Sequence, residues 1–331
     1  MRHFSAPAWL ALSLWLGLAA GPAPAENRLL DFADLQGWAQ DDHLAALNSF
    51  LATCDLLDAA EWRPLCGLAA ESATSRAAAR AFFELLFRPV QIGAPPALFT
   101  VYFEPVLDGA RSCSDRYAWP VYRRPPELRD GLIWHDRATI ERGILSGRGL
   151  EIAWVDDPVA VFLLHIQGSG RIRLDDGSVL RVGYAGRNGH PFVPLGQSLT
   201  AGPLSAERLG AILNVNPSYV FFRVLPDLPP EAGPLGAMGR SLRPLRSVAI
   251  DPGFVPLGAP VWLETHGPVP MNRLMVAQDT GGAVRGAQRA DIFFGTGAAP
   301  GRAAGNVRDG GRMLVLLPID SAYALAAPAG L

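Results

Sequence analysis

Thirty-five glycines and 29 prolines are spread along the 331 residues of this chain, and they fall between short apolar runs rather than in one low-complexity tract. Glycine and proline interrupt regular elements, so a chain cut this often reads as many short segments joined by turns rather than as one disordered tract. Short strands read at 98–106, 159–166, 171–174, 179–184, 220–224, 247–250, 259–264, 274–278 and 313–317. Asp175-Asp176-Gly177-Ser178, between two of them, is a hairpin signal. Helical character is concentrated early, at 44–51 and 75–87, where apolar residues recur at three and four and Arg88-Pro89 stops the second run. Later, only 205–213 reads as a helix, with Ser205 as N-cap and Glu207 in its first turn. The pattern predicts a mainly β fold with N-terminal helices, made of barrels rather than a parallel α/β sheet.

Met1-Arg2-His3, the apolar stretch 10–20 and Ala23-Pro24-Ala25 form a secretory signal peptide over 1–25, with Glu26 as the first mature residue. The apolar run falls short of the roughly 20 residues that cross a bilayer. No cysteine follows the cleavage site, since Cys54 is the first in the chain. The expectation is an exported, periplasmic protein without a lipid anchor, soluble or peripherally associated with the outer membrane. Export makes a disulfide possible; Cys54 and Cys66 could close the loop around Trp62, leaving Cys113 over, or all three thiols could stay reduced. The six histidines are scattered and no Cys/His set has zinc spacing, so no metal or cofactor is expected. A net charge of −2 without a basic block argues against a nucleic-acid or membrane footprint. About 300 mature residues exceed one ordinary core, so two domains are expected.

Three aspartates stand in the last third: Asp251 in Val248-Ala249-Ile250-Asp251-Pro252-Gly253, Asp279 in Gln278-Asp279-Thr280-Gly281-Gly282-Ala283, and Asp291 in Arg289-Ala290-Asp291-Ile292-Phe293-Phe294. Each ends or interrupts an apolar run. Carboxylates so placed can converge on one cleft, where apolar walls raise a carboxyl toward the range useful for acid catalysis; they can equally be turn and strand-cap residues. Two Gly-rich segments, His165-Ile166-Gln167-Gly168-Ser169-Gly170-Arg171 and Gly183-Tyr184-Ala185-Gly186-Arg187-Asn188-Gly189-His190-Pro191-Phe192, lack the spacing and Lys of a phosphate loop. Their amides, hydroxyls and aromatic faces suit a polyhydroxylated ligand, although hairpin turns collect the same residues.

These segments, together with Asn216-Pro217-Ser218-Tyr219-Val220-Phe221-Phe222 and Gly233-Pro234-Leu235-Gly236-Ala237-Met238, resemble the membrane-bound lytic transglycosylase A family and occur in that family's order. The resemblance reaches upstream through Thr100-Val101-Tyr102-Phe103-Glu104-Pro105, Phe82-Phe83-Glu84, the Cys54/Trp62/Cys66 region and Leu35-Gln36-Gly37-Trp38, and so covers nearly the whole mature chain. It implies a double-psi β-barrel domain from residues 26–108 and 233–331, with a second β-barrel of residues 109–232 inserted and glycan held between the two. It implies a lytic transglycosylase that cleaves peptidoglycan glycan strands between N-acetylmuramic acid and N-acetylglucosamine. Asp291 matches the catalytic aspartate, acting first as general acid and then as general base. Asp251 and Asp279 are supporting candidates; Thr100, Tyr102, Glu104, Gln167, Ser169, Tyr184 and Asn188 are groove-lining ones. Tyr219, Phe221 and Phe222 read as strand core rather than sugar platforms.

Ala290, Ile292, Phe293 and Phe294 would withdraw water from Asp291, while Asp251 or Asp279 would disfavour a second charge beside it. The protein is expected to be a monomer, with cell-wall synthesis proteins as candidate partners. Two features depart from the family pattern: the lipid-modified cysteine of many members is missing, and Val101 stands where Gly is common, so the backbone near Thr100 is expected to be shaped differently. Two other functions compete. Asp279-Thr280-Gly281 matches the triplet of aspartic proteases, which need two such aspartates. A peptidoglycan-binding module without catalysis would use the same surfaces.

Overall fold

In the computed structural model the described residues are 27–193, 206–225, 228–267, 270–304 and 307–327. The expected signal segment, 1–25, and the expected N-cap Ser205 lie outside them. The chain runs β1 (Arg28–Leu29), α1 (His43–Cys54), α2 (Arg63–Ser72), α3 (Arg76–Leu86), β2 (Phe87–Gln91) and β3 (Leu98–Glu104). It continues through β4 (Val106–Ala110), β5 (Trp119–Tyr122), the short α4 (Arg137–Thr139), β6 (Glu151–Val155), α5 (Pro158–Gln167), β7 (Ser169–Leu174), β8 (Val179–Arg187), α6 (Ala206–Leu213) and β9 (Val220–Val224). The last stretch is β10 (Ser247–Ile250), β11 (Pro260–Thr265), β12 (Asn272–Thr280), β13 (Arg289–Thr296), α7 (Ala298–Ala304), β14 (Gly311–Pro318) and α8 (Ile319–Ala326). No helix among the described residues is long and apolar enough to cross a membrane.

The strands form two sheets. Eight follow the order β1-β2-β14-β11-β12-β10-β13-β3 and six the order β5-β6-β4-β7-β8-β9. The chain therefore starts in the larger sheet, builds the whole smaller one after Pro105, and returns to the larger one at Ser247. The larger sheet carries α1–α3 on one face. Asp42 caps α1 by accepting from the Ala45 amide, and Ser75 caps α3 by accepting from that of Ala78, as the helix-start pattern requires. Their apolar sides bring Phe50, Phe82, Phe83 and Phe87 together under Trp38, Trp62 and Trp262, all buried. Each such ring is worth roughly 2 kcal/mol in water removed from apolar surface. Cys54 and Cys66 are joined as a disulfide that ties α1 to α2, while Cys113 is free and exposed.

Several elements differ from the sequence expectation. Residues 159–166, read as a strand, are helix α5: Asp157 accepts from the Val159 amide as N-cap, Pro158 takes the first turn, and Gly168 ends the helix at φ 75°. The valines that suggested a strand serve instead as the apolar face of a helix, with Val161 and Leu164 buried against Ile172 and Phe222. Helices also follow at α2, α7 and α8, so helical structure is not confined to 44–51, 75–87 and 205–213. Val101 lies within β3, paired with Ile292, so the backbone at Thr100 is ordinary strand and a branched residue suits it. Tyr219, Phe221 and Phe222 are buried, as strand core.

Candidate active site

The aspartates of the last third are brought together by register. β10 lies between β12, to which it is parallel, and β13, to which it is antiparallel, and β13 runs parallel to β3. Ala249 is paired with Asp279 on one side and Asp291 on the other, and Asp291 with Thr100. The sequence Asp279, Ala249, Asp291, Thr100 is thus one row across four strands, and a row across a sheet shares a face. Ala249 matters because a larger side chain there would stand between the two carboxyls.

Alternation along β13 separates two environments. Ala290 and Ile292 point into the main core, while Asp291 shares the opposite face with Phe293, which packs with Tyr102, Leu242, Ala249 and Val284. Water is therefore excluded from Asp291 by this second cluster, a correction to the expectation that Ala290 and Ile292 do so. Burial raises the Asp291 carboxyl above the ordinary range, opposed by the Thr100 hydroxyl and the Arg289 guanidinium. Thr100 Oγ1 donates to Asp291 Oδ1 at 2.6 Å, and Arg289 Nη2 donates to Thr100 Oγ1 at 2.7 Å.

Asp279 is held differently. Tyr102 donates its hydroxyl to Oδ2 at 2.7 Å, and the amides of Ala237 and Thr280 both donate to Oδ1 at 2.9 Å. Burial raises this carboxyl too, the three donors oppose that, and the charge of Asp291 adds to the rise. Burial, together with the neighbouring charges of Asp279 and Asp291, drives the Tyr102 phenol well above its usual range, so it stays a neutral donor. Asp251 does not act on Asp291. Its carboxylate accepts from the Gly253 amide at 3.1 Å and the Gly286 amide at 2.9 Å, is held below the ordinary range by those bonds, and orders the loop between β12 and β13.

The remaining predicted residues divide. Gln167, at the end of α5, accepts from the Phe103 amide at 2.9 Å and so ties the smaller sheet to β3. Tyr184 is exposed, whereas Ser169 is buried at the start of β7 opposite Gly183. Glu104 and Asn188 are not groove-lining: both are 0 % exposed. Glu104 binds Arg171 at 2.9 Å and Arg181 at 3.2 Å, and accepts from Thr296 at 2.7 Å. Those arginines also hold the carbonyls of Pro229, Pro230 and Ala232, so Glu104 fastens both crossings between the sheets. Asn188 staples the backbone at His135, Pro217 and Tyr219. Sequence reasoning missed Arg289 and Ala249. Arg289 stands two residues before Asp291, the spacing that puts both on one strand face, and that was the available signal. The smaller sheet approaches this face through Arg187, whose Nη1 would lie 3.1 Å from a Cβ at Gly282. A mostly apolar, partly open cavity of about 90 Å³ between Trp119, Tyr122, Arg137, Glu141, Leu213 and Tyr219 contains none of the predicted site residues.

Scaffold and site together define a class: a mainly β, two-sheet protein carrying a pair of half-buried carboxyls, both raised, on one face of the larger sheet. Protein-family models narrow it, with the MltA specific insert domain matching residues 98–207 and the 3D domain residues 246–317. Among solved structures, the membrane-bound lytic murein transglycosylase from Agrobacterium tumefaciens is 31% identical with a TM-score of 0.77, covering 91% of this chain and 99% of that one. MltA of E. coli with bound chitohexaose is 25% identical with a TM-score of 0.72, covering 88% and 94%. The membrane-bound lytic murein transglycosylase A of Vibrio cholerae is 31% identical over 244 residues, 65% of this chain and 64% of that protein. The matched region thus spans less than two thirds of this curated relative's length. The chain belongs to the membrane-bound lytic murein transglycosylase A family.

Proposed function

We propose that the protein is a lytic transglycosylase that cleaves peptidoglycan glycan strands, with Asp291 as its one acid–base group. The observation that carries this is the unequal engagement of the two carboxyls. Asp279 has both oxygens bound by donors, from Tyr102, Ala237 and Thr280, whereas Asp291 has a bond to Oδ1 and, among the described residues, none to Oδ2. Hydrolytic glycosidases require two working carboxyls, one for the leaving oxygen and one as nucleophile or base for water. A single available, elevated carboxyl suits a reaction in which the substrate supplies its own nucleophile.

In that reaction Asp291 gives its proton to the glycosidic oxygen as the bond to muramoyl C1 breaks. The resulting carboxylate then takes the proton of the muramoyl C6 hydroxyl, whose oxygen bonds to C1 and closes a 1,6-anhydro ring. Atoms and charge balance without water, and holding the C6 hydroxyl against C1 supplies much of the rate. The chitohexaose bound by the E. coli relative favours a glycan ligand of the same class. An aspartic protease would need a second carboxyl sharing a proton with Asp279, and the partners of Asp279 are instead a phenol and two amides.

The chain would then divide into a double-psi barrel domain, about residues 26–108 with 233–331, and an inserted barrel of about 109–232. Supporting it are the antiparallel bridge Phe99–Asp309 beside the β3 edge of the larger sheet, and the bridge Arg123–Phe222 between the edges of the smaller one. Glycan would lie between them, over Tyr184 and the Asp291 row. The signal-like pattern of residues 1–25 supports a periplasmic location. The test is mass spectrometry of muropeptides after incubating purified sacculi with the protein and with Asp291→Ala. Products one water lighter than hydrolysis products, lost in the variant, support the reading. Reducing-end products would replace it with a hydrolase, and absence of release with intact sacculus binding would replace it with a binding module.

A further inference from the structure

We propose that Arg289 is a positioning residue for Asp291: through Thr100 it reserves Oδ1 as an acceptor and leaves Oδ2 to carry the acid proton. The inference rests on the reading of Asp291 as the acid. Arg289 and Asp291 are alternate residues of β13 and share its face. A guanidinium offers donors only, so Thr100 Oγ1 must accept from Arg289 Nη2, and the hydroxyl's proton is turned to Asp291 Oδ1. With Oδ1 accepting, the proton of the neutral carboxyl goes to Oδ2. The guanidinium is itself fixed, since Nη1 donates to the carbonyls of Leu98 and Ala290. One oxygen is thereby anchored while the other gives and later receives the proton, which is what successive acid and base roles at one carboxyl require.

The positive charge also limits the elevation that burial causes, stabilising the carboxylate formed after proton donation. The other charged or titratable groups around Asp291 do not replace it. Asp279 on β12 raises charge repulsion, Tyr102 on β3 is neutral and bound to Asp279, and Asp251 after β10 is bound by amides, with Arg285 3.7 Å away. Arg308 acts on Arg289 rather than on the carboxyl, lowering its affinity for a proton.

The experiment is the pH profile of kcat for anhydro-muropeptide release from sacculi, comparing the protein with Arg289→Met, Arg289→Lys and Thr100→Val. Activity requires protonated Asp291, so it falls on the alkaline side as the acid ionises. Arg289→Met should move that limb upward by about one pH unit and lower kcat about tenfold on the acid side, with KM unchanged. Lys should restore most of the limb's position, and Met should move it less in a Thr100→Val background than alone. If Arg289→Met does not fold, as judged by thermal unfolding, Arg289→Gln carries the same expectation. A limb that stays in place or moves down in a folded variant overturns the proposal. Asp291→Asn separates the two layers. Retained release in that variant sinks the assignment of the acid, whereas loss of release together with an unmoved Arg289→Met limb sinks only the role of Arg289.

Discussion

Replacing Asp291 by Asn should abolish glycan cleavage and, at neutral pH, make the protein more stable. Burial on the face it shares with Phe293 and Ala249 raises the Asp291 carboxyl above the ordinary range, and the Thr100 hydroxyl and the Arg289 guanidinium do not fully offset that. A carboxyl whose folded-state pKa exceeds its unfolded one binds protons more tightly when folded. Its stabilising contribution is complete below the unfolded value of 3.8 and is lost as pH rises through the folded value. At pH 8 the native protein therefore holds a disfavoured charge. The replacement amide keeps an Oδ1 that can accept from Thr100 and carries no charge, so the penalty disappears. Each unit of elevation corresponds to about 1.4 kcal/mol, and in a chain of this size each kcal/mol moves Tm by about 2–4 °C. The assay is thermal unfolding of both proteins across pH 3.5 to 8.5, beside release of muropeptides at the pH optimum. The gain in the Asp291→Asn variant should grow from near zero at the acid end to its full size once the native carboxyl ionises. A difference in Tm that is independent of pH, or a variant less stable at pH 8, would refute the assignment of a raised carboxyl at this position.

Three further outcomes follow from named contacts. Glu104→Gln leaves Arg171 and Arg181 facing an amide in a buried site, so it should cost about 3 kcal/mol in denaturant unfolding and loosen both crossings between the sheets. Replacing Cys54 and Cys66 by Ser together removes the constraint on a 12-residue separation, and stability should fall by about 3 kcal/mol relative to the oxidised protein, with no effect of reductant on the variant. Tyr102→Phe deletes one of three donors to Asp279, so its carboxyl should rise further, and kcat should fall about tenfold at unchanged KM, measured by the same release assay.

Much of the fold is legible in local pattern, because local pattern is what short strands and capped helices depend on. The hairpin at Asp175-Asp176-Gly177-Ser178 joins β7 to β8, and Ser75 and the run up to Phe87 yield α3. α5 escapes the same reading for an equally local reason. Its valines and isoleucine outweigh Asp157-Pro158 at its start and Gly168 at its end, although a cap on each side is better evidence than β-branching within. Glu104 and Asn188 carry the polar character of a groove, and nothing in their neighbours' identities says that both are buried among arginines or backbone carbonyls. Which strands lie together is beyond local reading altogether.

That last gap is where the site resides. Thr100 and Asp291 are bonded although 191 positions apart, and the pairings that align β12, β10, β13 and β3 are parallel, antiparallel and parallel in turn. A shift of one residue in any of them would turn Asp291 or Asp279 into the main core and leave Ala290 or Gln278 on the working face. Gln278 resists such a shift, because its amide is committed to Ser49 and Thr53 of α1 and its carbonyl oxygen to Ser247. The helices at the far side of the sheet therefore set the register that aligns the two carboxyls. Disturbing Gln278 should impair catalysis from the opposite face of the sheet, without any contact to the acid itself.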